Sequence, residues 1–137
     1  MREDPDDIIV DHYQGSYGAT IRFDIQEPTA LAYLKSIFTS LAGSTASTID
    51  LISQRSIKGE GIRQFILETI INEREPLKTL KVVQGQGGAS VRWSRSHDGW
   101  IEAAELLDGL SASGGPAHQY LTQEGVDDAI VEVAFRE

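Results

Sequence analysis

The amino-acid sequence predicts an α+β fold: a two-layer sandwich in which a five- or six-stranded, mainly antiparallel sheet carries two helices packed on one face. Three observations point there. Residues 28–43 and 99–110 repeat apolar side chains at spacings of three and four, the mark of a helix with one buried face. Several other segments alternate apolar and polar residues, as half-buried strands do. Glycine-rich breaks separate those segments at hairpin distances.

Taken in order, residues 1–7 hold four acids and Pro5 and are expected to fray. Ile8-Ile9-Val10 starts a short edge strand that ends at Gln14-Gly15-Ser16. From Tyr17 to Ile25, Tyr17, Ala19, Ile21, Phe23 and Ile25 alternate with Gly18, Thr20, Arg22 and Asp24 in a clear strand. Pro28 opens the first helix, where a missing amide proton does no harm, and Gly43 suits its end. Leu31, Leu34, Ile37, Phe38 and Leu41 form its buried face. Ser44 to Thr48 reads as a loop.

Residues 48–71 admit two readings. Ile62, Phe65, Ile66, Thr69 and Ile70 fit a helical stripe. The density of β-branched residues, the lack of an N-cap and the Lys58-Gly59-Glu60-Gly61 turn favour a hairpin instead, with strands near Thr48–Ser56 and Ile62–Ile71. Pro76 closes this unit. A second hairpin joins Thr79–Gln84 to Ala89–Arg95 across Gly85-Gln86-Gly87-Gly88. Ser96 or Asp98 then caps the second helix, Gly99 to Leu110. Trp100, Ala103, Ala104, Leu107 and Leu110 face inward, with Ile101 and Leu106 widening the stripe, and Trp93 and Trp100 serve as core anchors. Val131, Val133 and Phe135 alternate with Glu132, Ala134 and Arg136 in a final strand.

The 137 residues make one domain, 1–137, long enough for a proper core. No cysteine is present, which excludes a disulfide framework, thiolate catalysis and a cysteine zinc site. No apolar run approaches the ~18 residues of a membrane helix. The acidic start is not a signal peptide, so a cytoplasmic location is expected. The net charge of −9 is uneven. Segments 1–14, 98–108 and 122–137 each carry −4, whereas 48–95 sets eight bases against five acids. That balance counsels against nucleic acid as a partner, since binding phosphates needs a concentrated basic surface.

Candidate functional residues fall in two groups. Glu102, Glu105 and Asp108 form an acidic ridge on the second helix, a solvated face or a docking surface for a basic protein. His118 follows Gly114-Gly115-Pro116, stands beside Tyr120, and precedes Asp127-Asp128. An imidazole oriented by a carboxylate is the core of a general base, yet no nucleophile elbow accompanies it. The aspartates with Glu124 match no EF-hand spacing. The glycine run at 85–88 lacks the helix and Lys-Ser/Thr pair of a phosphate loop. No histidines are spaced as a helical metal pair, so neither metal nor cofactor is expected. The expectation is a non-enzymatic, acidic protein-binding or inhibitor module, of the kind bacterial immunity proteins represent. The alternative is a small enzyme or small-molecule binder around His118, Tyr120 and Asp127/Asp128.

Overall fold

The computed structural model describes residues 8–15, 18–43, 48–70, 79–122 and 128–137. The fold class is the expected one, α+β with two helices, and the described strands number nine in two mixed sheets. The first half runs β1 (Ile8–Gly15), β2 (Gly18–Ile25), α1 (Pro28–Gly43), β3 (Thr48–Asp50), β4 (Ile57–Glu60) and β5 (Ile62–Thr69). The second runs β6 (Leu80–Gly85), β7 (Gly88–Arg95), α2 (His97–Ser113), β8 (Ala117–Tyr120) and β9 (Ile130–Phe135). A five-stranded sheet has the order β4-β1-β2-β9-β8, and a four-stranded sheet the order β3-β5-β7-β6.

The division into two sheets, where one was expected, arises in residues 48–60. Thr48–Asp50 pairs antiparallel with β5 in the four-stranded sheet. The Asp50 carboxylate then accepts from Ile52 N at 3.2 Å and from Phe65 N at 3.3 Å, starting a 3-10 turn over Leu51–Ser53. That turn breaks the expected long strand and sends β4 across to pair parallel with β1. β1 therefore lies inside its sheet, between β4 and β2, rather than at an edge. Residues 62–69 are a strand, with Phe65, Leu67 and Thr69 turned inward and Ile66 and Glu68 between them, so the helical alternative is excluded. The β6–β7 hairpin turns at Gln86-Gly87, as expected. The expectations for residues 1–7, the Ser44 loop and Pro76 lie outside the described residues.

Ser96 is the cap that α2 uses: its Oγ accepts from Gly99 N at 3.1 Å. Gly114 closes the helix in the left-handed conformation, φ 74°. Ile101 is 44% exposed and lies outside the buried stripe, because it is turned about 100° from Trp100 around the helix. The last turn of α1 leaves carbonyls without helical partners. Thr69 Oγ1 donates to Leu41 O at 2.8 Å, and His97 Nδ1 donates to Ala42 O at 2.6 Å. His97 is thus a link between the two helices.

Both sheets turn one apolar face toward the helices, and all these faces meet in one core. Phe23 and Phe65 join the sheets at 5.8 Å between ring centroids. Trp93 and Trp100 are fully buried, 4.9 Å apart, and both pack on Phe38. Trp100 Nε1 donates to Glu68 O at 3.1 Å. The two tryptophans therefore join α2 to the four-stranded sheet, as the sequence implies. The other face of each sheet is left for different work.

Candidate functional site

Successive side chains of a strand point to opposite faces. In the five-stranded sheet Ile57, Ile8, Val10, Ile21, Phe23, Val131 and Val133 are buried in the core, so the residues between them project outward. The register then sets Glu60, Asp11, Arg22, Glu132 and Tyr120 side by side, one from each strand. A neighbouring row holds Lys58, Ile9, Asp24, Ala134 and His118. Residues far apart in the chain thus form one strip of three carboxylates, a guanidinium and a phenol.

Ile9, Asp11, Tyr13, Arg22, Asp24 and Glu60 line an open hollow of about 520 Å³ on this face. Burial raises the Asp11 carboxyl above its ordinary value; Arg22 opposes that rise and Asp24 adds to it. Burial also works against the Arg22 charge, but Asp24, Glu132 and Tyr13 outweigh it and hold the guanidinium more firmly protonated than usual. Asp11 Oδ1 and Arg22 Nε are both buried without a hydrogen-bond partner among the described residues. Such atoms cost about 1–3 kcal/mol each when left unsatisfied, so two in one hollow mark a place where partners are expected to arrive.

At the other end of the strip, His118 Nδ1 lies 3.1 Å from Glu137 Oε2, and its ring meets Tyr120 edge-on at 5.5 Å. Glu137 Oε1 stands 4.0 Å from Arg22 Nη2. Glu137 reaches this face because Arg136 adopts a left-handed conformation, φ 59°, uncommon for a residue with a side chain. Arg136 is held there by donating from its backbone N to Ile25 O at 2.8 Å and from Nε to Gln26 O at 3.0 Å. Gly115 makes room for it: a Cβ there would stand 2.9 Å from Arg136 Cβ.

The residues singled out in sequence separate accordingly. His118 and Tyr120 come together, but Asp128 does not join them. Its Oδ2 accepts from Val82 N at 2.9 Å, closing part of the open edge of β6. Asp127 and Glu124 lie outside the described residues. On α2, Glu102, Glu105 and Asp108 are exposed. Lys35 Nζ meets Asp108 at 2.6 Å, and Arg95 Nη2 stands 3.8 Å from Glu102. Two of the three ridge carboxylates thus have cations from their own chain. Asp11, Arg22, Asp24, Glu60 and Glu132 were not singled out. Their signal is the polar half of the strand alternation, which becomes a site only once the strand order is known.

No described helix is long and apolar enough to cross a membrane. No protein-family model, curated protein or solved structure matches this chain.

Proposed function

We propose that the chain is a non-enzymatic binding protein that holds a basic protein partner against the outer face of the five-stranded sheet. The observation that carries this reading is the hollow in which Asp11, Asp24 and Glu60 surround a single Arg22, with Asp11 Oδ1 buried and without a partner among the described residues. A lysine or arginine side chain entering there would donate to that oxygen, a charge-assisted bond of about 1.5–3 kcal/mol. It would also offset the desolvation of Asp11. The surrounding negative charge would speed encounter with a basic surface. A cytoplasmic bacterial inhibitor of the immunity type is the specific form this function takes. The ridge of Glu102, Glu105 and Asp108 contributes mainly through Glu105, since Lys35 and Arg95 attend to the other two.

The test is cross-linking mass spectrometry on the captured partner, together with its affinity for an Asp11→Asn, Asp24→Asn double variant. Cross-links that flank the hollow and an affinity at least tenfold weaker, with a flatter salt dependence, are expected. A partner that cross-links to α2 alone and binds the variant as tightly would overturn the assignment.

A second reading, a small enzyme or small-molecule binder at His118 and Tyr120, draws on the 3.1 Å contact between His118 and Glu137. It requires a substrate that the wild type turns over and the His118→Gln variant does not.

A further inference from the structure

We infer that His118, Glu132 and Glu137 form a binding site for a divalent transition cation, with zinc the best fit. One ring nitrogen of His118 and one carboxylate oxygen from each glutamate lie within 4.8 Å of one another. Zinc bonds to imidazole nitrogen and carboxylate oxygen are about 2.0–2.2 Å long, so tetrahedral ligands sit about 3.4 Å apart. The cluster therefore needs to contract by at most about 1.4 Å, which side-chain torsions on fixed strands supply.

The setting favours a cation. Among the described residues Glu132 is the one charged residue that is buried, at 9% exposure, although it lies on the outward face of its strand. A buried carboxylate is stable only when it is paired, hydrogen-bonded or coordinated. Arg22 offers it charge through space, but is shared among Asp11, Asp24, Glu132 and Glu137. The backbone places the ligands securely. Glu132 lies on an interior strand of its sheet, and His118 lies on the adjoining edge strand opposite the small Ala134, which leaves space above the sheet. Glu137 is delivered by the pinned Arg136. The chemistry of the set, one nitrogen and two hard oxygens, suits zinc better than magnesium, which favours all-oxygen octahedra, or copper(I), which favours sulfur. Three protein ligands leave a fourth position, which faces solvent since His118 is 46% exposed.

Zinc chloride titrated calorimetrically into untagged, chelator-treated protein tests the site. One equivalent should bind with a micromolar or tighter dissociation constant and raise the melting temperature. His118→Ala and Glu132→Gln should each weaken binding at least tenfold, and Asp98→Asn on α2 should leave it unchanged. His118 is exposed, so its variant keeps the test valid if Glu132→Gln proves unstable. Cobalt(II) should report the same site through a visible absorption band that His118→Ala abolishes. Absence of saturable binding, or binding that His118→Ala leaves unaltered, would overturn the site. Neither result bears on the hollow at Asp11, whose test uses other variants and another ligand.

Discussion

The outer faces of the two sheets are built by the same alternation but treat their charges in opposite ways. On the four-stranded sheet Arg92 bonds Glu68 at 2.7 Å, Ser94 Oγ donates to the same carboxylate at 2.6 Å, and Arg92 is half exposed. Its cation has a local partner and water besides. On the five-stranded sheet, Arg22 serves several carboxylates at once, and its Nε and Asp11 Oδ1 are buried without partners among the described residues. Pairing the charge within the sheet leaves Ser90 Oγ as the one atom on that face buried without a partner among the described residues, and it is an uncharged one. Drawing carboxylates from four strands around one guanidinium makes a surface with unmet hydrogen-bonding capacity. The second arrangement costs stability, and that cost is the reason for reading it as functional.

The largest expected effect lies beneath the satisfied face. Trp100 holds the Glu68 carbonyl from below, so Trp100→Ala should lower stability by about 3–5 kcal/mol in urea unfolding. Trp100→Phe should recover most of that loss, and a full-size loss in Trp100→Phe would assign the effect to the hydrogen bond rather than to packing. Next comes the pair Arg22→Met and Arg92→Met. The first should cost about 1–3 kcal/mol by leaving several carboxylates without a cation, and the second under about 1 kcal/mol. Equal losses would erase the contrast between the faces.

Asp11→Asn should have a smaller effect and the opposite sign. Because folding raises the Asp11 carboxyl above its ordinary 3.8, folding favours the protonated acid. Wild-type stability contributed by that group is therefore full below pH 3.8 and is lost as pH rises through the folded-state value. Asparagine does not titrate, so the variant should be the more stable protein at pH 7, with the advantage vanishing at pH 3. Urea midpoints at the two pH values measure it. A variant less stable than wild type at pH 7 would show that Arg22 depends on the Asp11 charge. Smallest of all, changing Glu102, Glu105 and Asp108 together to Gln, Gln and Asn should move stability by under about 0.5 kcal/mol. Relief of repulsion and of the unfavourable helix dipole offsets the loss of the Lys35 and Arg95 contacts. Thermal melts of the triple variant decide the sign.

The contrast between faces also separates what the sequence made legible from what it did not. Helices α1 and α2, the β6–β7 hairpin and the tryptophan anchors follow from local periodicity, caps and turns, and they are where the sequence places them. The parallel pairings of β1 with β4, β2 with β9 and β5 with β7 join distant segments, and no local pattern encodes them. The Arg92–Glu68 pair also depends on a distant pairing, β5 with β7, but it needs only those two strands, whereas the acidic strip needs the order of all five. Arg22 and Glu132 thus read as ordinary outward residues of two unrelated strands until the register sets them side by side. His118 and Tyr120 stood out through their glycine-proline setting. Their neighbour Glu137 did not, because a left-handed arginine is not written in residue type.

The pairing of β2 with β9 also governs how the chain assembles as it is made. Residues 20–25 must wait for residues 130–135 before the middle of their sheet exists, while β5, β6 and β7 pair at closer range. Closing so long a loop is slow, because the entropy is lost before the contacts form. The four-stranded sheet therefore has the means to form first, during synthesis. Until the last strand arrives, β2 keeps a bare edge, and an unpaired edge is a template for wrong pairing with another chain.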